Sequence, residues 1–113
     1  MKAWIFGTAL IANRDDVWNY LDAITSSLEI TEVTVGSLPI GTEKHVVDWC
    51  NENKINYLEY REPSVNICNI QSPDVGIAFL GSEVVNARNR LTADILSDSD
   101  IKIYFVPSEK KSK

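Results

Sequence analysis

Two textures alternate along this chain. Short, nearly continuous apolar runs occupy Lys2 to Phe6 and Asp74 to Leu80, and Glu32 to Gly36 and Ile101 to Val106 also read as strands. Runs of that length without alternation suit strands buried on both faces. Ile55 to Tyr60 alternates instead and is rich in strand formers, which predicts a strand with one wetter face at a sheet edge. Between these runs the apolar period lengthens to that of a helix. Val17, Leu21, Ile24 and Leu28 follow the capping residue Asn13 and the first-turn acids Asp15 and Asp16, predicting a helix from about 13 to 28. A second helix starts at Gly41 or Thr42, carries Val46, Trp49, Cys50 and Asn53 on one face, and ends at Asn53 and Lys54. A third is expected after a Ser82 cap, with Val84, Ala87, Leu91, Ala93 and Ile95 turned inward. Arg61 to Pro73 holds two prolines and no clear period, so a loop with at most one helical turn is expected there.

Strands alternating with helices imply parallel pairing, because parallel strands need crossover connections and these pack on both faces of the sheet. The predicted fold is α/β, a small Rossmann-like three-layer sandwich with a mainly parallel five-stranded sheet. Residues 1–107 form the single domain, and 108–113, with Lys110, Lys111 and Lys113, form a flexible basic tail. In open sheets of this kind the ligand crevice lies beyond the carboxyl ends of the strands, where the strand order reverses. With the first three strands in the order 3-2-1, that point falls between the first and fourth. Three loops converge on it: Gly7-Thr8-Ala9, Ser37 to Glu43, and Leu80-Gly81-Ser82-Glu83. Each sets glycine beside a hydroxyl residue, and the second leads into a helix N-terminus, whose amides and dipole favour an anion such as phosphate. The candidate ligand-binding residues are Gly7, Thr8, Gly36, Ser37, Gly41, Thr42, Glu43, Gly81 and Ser82.

Charge and cysteine spacing narrow the classes. A net charge of -5 disfavours non-specific nucleic-acid binding. Cys50 and Cys68 stand 18 positions apart with a single histidine in the chain, so neither a metal site nor a redox motif is indicated and two buried free thiols are expected. No cofactor is implied. The longest apolar runs fall far short of the roughly 20 residues a spanning helix needs, and the start is too short for a signal-peptide core, so a cytoplasmic protein without a membrane partner is expected. The dinucleotide fingerprint G-x-G-x-x-G and the P-loop pattern are both absent.

The arrangement Gly36-Ser-Leu-Pro-Ile-Gly41-Thr42-Glu43, with Trp49 eight positions after Gly41, resembles the G-G-x-x-G-A-D-x-x-A-x-x-W pattern of small single-domain members of the SLOG superfamily, the YspA-like (cpYpsA-related) group. Asp74-Val-Gly-Ile-Ala-Phe-Leu-Gly81 is similar to that group's D-x-x-I-A-F-x-G strand and loop. The resemblance implies a Rossmannoid domain that holds a nucleotide-derived ligand such as an ADP-ribose-type or cyclic nucleotide messenger. Glu43 stands where the group has Asp, and the G-G-x-G-T loop of phosphoribohydrolase relatives is reduced to Gly81-Ser82. The reading that follows is a domain that senses or sequesters the ligand, a design that a sponge for an immune nucleotide signal would also fit. Two other classes stand beside it. One is a nucleoside or nucleotide N-glycosidase or ribosyl transferase using Glu83 or Glu43 as its carboxylate. The other is a protein-interaction module with a decayed ligand site. Among single residues, His45 has no nucleophile partner, Trp49 is expected to pack its helix on the sheet, and Arg88, sharing a face with Val84 and Leu91, needs a partner, which a surface ion pair, an acid at a subunit contact or the ligand would each supply. A helical face leaves room for homo-oligomerisation.

Overall fold

β1 (Lys2–Gly7) is flanked on both edges and covered on both faces, which is why Ala3-Trp4-Ile5-Phe6 carries no polar position. The computed structural model describes residues 1–8, 13–79 and 87–106. After β1 come α1 (Arg14–Thr25), β2 (Glu32–Gly36), α2 (Thr42–Glu52), β3 (Asn56–Tyr60), α3 (Val65–Gln71), β4 (Val75–Phe79), α4 (Ala87–Asp98) and β5 (Ile103–Phe105). The five strands form one sheet in the order β3-β2-β1-β4-β5, with every neighbouring pair parallel. This is the small Rossmann-like architecture that the apolar pattern predicts. The order reverses between β1 and β4.

Alternation along the strands divides the core in two. Ala3, Ile5, Val33, Val35, Val75, Ile77 and Phe79 face α1 and α2 and pack with Val17, Leu21, Val46, Trp49 and Cys50. Trp4, Phe6 and Ala78 face the other way and pack with Cys68 of α3 and Ile95 and Leu96 of α4. The α1–α2 layer is tied by two indoles as well as by apolar contact. Trp49 donates to Asp22 Oδ1 at 3.0 Å, and Trp18 donates to the His45 carbonyl at 3.0 Å. Trp49 therefore packs α2 on the sheet, as its helical face suggests. Cys50 and Cys68 are buried free thiols, and burial pushes the Cys50 thiol up to about 12, leaving it protonated and unreactive.

Three elements depart from the sequence expectation. The stretch after Arg61 holds a seven-residue helix, α3, capped by Ser64, whose hydroxyl accepts from the Ile67 amide at 3.3 Å. Its inward residues are Cys68 and Gln71, too few to write a helical period. β5 is shorter than Ile101 to Val106 and covers Ile103–Phe105. In α4 the inward stripe is Asn89, Thr92, Ile95 and Leu96, whereas Leu91 is 46% exposed. The helix is rotated from the apolar phase because its first turns meet polar partners and only its later turns meet the core. The Ser82 cap expected for this helix lies outside the described residues. Among those described, no helix is long and apolar enough to cross a membrane.

On the α3–α4 face, two large rings from non-adjacent strands touch. Trp4 of β1 and Tyr60 of β3 meet edge-on with centroids 5.3 Å apart, across the intervening β2, where Thr34 is paired with Trp4 and Gly36 with Tyr60. Small residues on that face of β2 make the contact sterically accessible. The Trp4 indole N–H donates to the Tyr60 hydroxyl oxygen at 2.7 Å, fully enclosed. Beside it, Gln71 Nε2 of α3 donates to Thr34 Oγ1 at 3.1 Å. Tyr60→Phe leaves the indole N–H buried without an acceptor and is expected to cost about 1–3 kcal/mol in urea unfolding. A cycle with Trp4→Phe should show a coupling of about 0.5–3 kcal/mol, since the double variant removes both partners. A coupling near zero would mean that the bond contributes nothing to stability.

Candidate functional site

The carboxyl edge of the sheet collects the ends of β1, β2 and β4 and the start of α2. α2 cannot begin without Gly41. Its N-cap conformation has φ 81° and ψ −156°, a region that side-chain-bearing residues rarely enter, and no side chain caps the helix there. Thr42 then packs directly against the end of β1. A Cβ at Gly7 would strike the Phe79 carbonyl oxygen and lie 2.9 Å from Thr42 Cγ2, so glycine at 7 is what lets the first turn of α2 settle here. The Thr42 amide donates to the Thr8 carbonyl at 3.0 Å, and the Thr8 amide donates to the Phe79 carbonyl at 2.9 Å, joining β1, β4 and α2 at the point where strand order reverses. Thr42 is 0% exposed, and among the described residues its hydroxyl has no hydrogen-bond partner.

Next to Thr42, Glu43 turns over the end of β2 and is equally enclosed. Its Oε1 accepts from Arg88 Nη2 of α4 at 3.3 Å, with Glu43 2% and Arg88 16% exposed at the side chain. The Leu38 amide also donates to this carboxylate. A Cβ on Gly36 would collide with both the Glu43 carboxylate and the Arg88 guanidinium, so this glycine too makes room for the protein's own groups. Arg88 lies over the Tyr60 ring, 5.4 Å from its centroid. Tyr60 hydrogen-bonds Thr92, and the Thr92 hydroxyl donates to the Arg88 carbonyl at 3.0 Å. Burial, chiefly, pushes the Tyr60 phenol up to about 12, so it stays protonated. The remaining guanidinium nitrogens of Arg88, Nε and Nη1, are buried with no hydrogen-bond partner among the described residues.

The candidates named from sequence thus separate into groups. Gly7, Thr8, Gly41 and Thr42 come together at the end of β1, and Gly36 and Glu43 at the end of β2. Ser37 is exposed, and its amide continues the β2–β3 pairing by donating to the Tyr60 carbonyl at 2.8 Å. Gly81, Ser82 and Glu83 lie outside the described residues, as does the basic tail. The loop amides expected to be open to an anion are in part already engaged, those of Ser37, Leu38 and Thr42 each by an oxygen of the protein. Pattern reading missed Tyr60 and Thr92 as parts of this site. The signal for them was the polar stripe Arg88, Asn89, Thr92 leading at helical spacing into Ile95 and Leu96. Elsewhere, an apolar groove of about 330 Å³ runs between α1 and β5, lined by Tyr20, Ile24, Leu28, Tyr104 and Val106 among others, and contains none of these candidates. Compared with protein-family models, curated proteins and solved structures, the chain matches none.

The Glu43 carboxyl is raised above its usual range because burial outweighs the attraction of Arg88 and the Leu38 amide. A carboxyl with a raised folded-state value binds its proton more tightly in the folded than in the unfolded chain. The stability it contributes is therefore largest at low pH and is lost as pH rises from about 4.5 through the folded-state value. Glu43→Gln removes this titration. Urea unfolding across that range should show the wild type's advantage over Glu43→Gln shrinking steadily as pH increases; an advantage that grew with pH would mean that Arg88 outweighs burial.

Proposed function

We propose that this domain binds a nucleotide-derived, phosphate-bearing small molecule, such as an ADP-ribose-type or cyclic nucleotide messenger, and acts by sensing or sequestering it. One observation carries the reading. Thr42 holds a fully enclosed hydroxyl without a partner among the described residues, in the first turn of α2, at the reversal of strand order where ligands of such sheets lodge. Leaving such a group unpaired costs about 1–3 kcal/mol, which a ligand oxygen seated against it would return. The helix dipole at the same point favours that oxygen being anionic. The resemblance of the Gly36 to Trp49 and Asp74 to Gly81 segments to YspA-like SLOG domains supports the same ligand class.

Binding without turnover is favoured by the state of Glu43. A catalytic carboxylate must be free to attack or to exchange a proton with the substrate, whereas this one is already occupied by Arg88. The test is calorimetry and thermal shift of the wild type with ADP-ribose, AMP and 3′,5′-cyclic AMP, followed by Thr42→Val. At least one of the three is expected to bind and to be recovered unchanged. Thr42→Val should weaken it about tenfold, the equivalent of about 1.4 kcal/mol, while leaving the empty protein as stable as before or more so, because valine keeps the shape and removes the unpaired hydroxyl. Absence of binding by all three, or a Thr42→Val variant that binds like the wild type, would remove the basis of the proposal.

A further inference from the structure

The arginine beside this site is held in a way that a purely structural ion pair does not explain. Arg88 presents five N–H donors, yet its one polar side-chain partner among the described residues is Glu43, at 3.3 Å, long against the roughly 2.7–2.9 Å of a strong charge-assisted bond. Nε and Nη1 are both buried and unmatched. The guanidinium is nevertheless held in place, by the Tyr60 ring 5.4 Å from its carbon, by the Glu43 carboxylate and by its close approach to the bare Gly36 backbone. An enclosed fork of donors held in this way is complementary to a planar pair of oxygens, as presented by phosphate or carboxylate. α4 places it at the same edge as Thr42, which is joined to Glu43 through the chain itself.

We propose that Arg88 receives an oxyanion of the bound ligand and that Glu43 is a positioning residue, aligning the guanidinium without touching the ligand. This rests on the nucleotide-site reading above, and it moves recognition of the charged group from the loop backbone to a side chain that arrives from α4. It also assigns the two carboxyl-edge glycines a shared purpose. Gly7 admits Thr42 and Gly36 admits the Glu43–Arg88 pair, so each makes room for a protein group that meets the ligand.

The decisive measurement is the ¹H–¹⁵N signal of the Arg88 Nε–H in the intact wild-type chain. The chain has four arginines, so Arg14→Lys, Arg61→Lys and Arg90→Lys assign the Arg88 resonance by exclusion without disturbing it. Saturation with whichever of ADP-ribose, AMP or 3′,5′-cyclic AMP binds should shift this signal, and adenosine, which lacks the phosphate, should not. Arg88→Lys should lower affinity at least tenfold for the phosphorylated ligand, and Glu43→Gln by a smaller factor. If a nucleotide binds but the Arg88 signal stays in place, this proposal is overturned while the Thr42 reading stands; the same holds if Arg88→Lys folds and binds undiminished. If no nucleotide binds the wild type, both fall together. Should Arg88→Lys fail to fold, the wild-type resonance alone decides.

Discussion

A sheet whose strands all run in parallel has a single edge at which the chain passes from strand to helix, because each strand must be left at its carboxyl end and re-entered from the opposite side. That constraint gathers the ends of β1, β2 and β4 and the first turns of α2 and α4 into one rim, however distant they are in sequence. Glu43 and Arg88 are 45 positions apart and meet there. The rim is crowded in consequence. Glycine at 7 and 36 is a response to that crowding, since a Cβ at 7 would strike the Phe79 backbone and one at 36 would displace the Glu43 carboxylate and the Arg88 guanidinium.

Crowding at a polar rim has an electrostatic cost. Enclosing Glu43 raises its carboxyl above the usual range even with an arginine beside it, so burial has removed more than the pair has restored. The surrounding network limits the damage by leaving few other groups unmatched. Trp4 donates to the Tyr60 hydroxyl, Tyr60 lies against Thr92, and Thr92 donates to the Arg88 carbonyl, so these four groups form one linked polar network. Such a network specifies a unique arrangement, because rotating any member strands its neighbours. Against that background the Thr42 hydroxyl and two Arg88 nitrogens stand out among the described residues, one in the first turn of α2 and the others on the residue that pairs with its neighbour Glu43.

How much of this was legible in the sequence follows from which interactions write a local pattern. Ala3-Trp4-Ile5-Phe6 and Val75 to Phe79 announce central parallel strands because both of their faces are covered, and Val46, Trp49 and Cys50 announce the inner face of α2. α3 writes nothing of the kind, since seven residues with only Cys68 and Gln71 turned inward carry no period. α4 misleads, because Leu91 faces outward while Asn89 and Thr92 face in. The partners that reverse its phase, Tyr60 and Glu43, belong to other elements. Thr42 and Glu43 were recognisable as the start of a helix at a loop, but not that Glu43 would be consumed by Arg88. Glycine is ambiguous for the same reason: a missing side chain signals close approach without saying whether a ligand or the protein does the approaching.

That ambiguity bears on how an anion would be recognised at this rim under the proposed function. A loop of unpaired amides at a helix N-terminus would bind phosphate through the backbone, with the side chains incidental. Here the amides of Ser37, Leu38 and Thr42 already have acceptors in Tyr60, Glu43 and Thr8, so those donors serve the fold. Under the proposed function, what the helix start would offer a ligand is its dipole and the Thr42 hydroxyl, supplemented by Arg88 from α4. Side-chain donors differ from backbone ones in a way that matters for selectivity. They stand at distances set by packing, so a ligand must match the spacing between α2 and α4 as well as the charge. Because Gly36 and Tyr60 define the seat of Arg88, that spacing is a property of the sheet rather than of a loop, and it follows directly from the register that sets Gly36 against Tyr60.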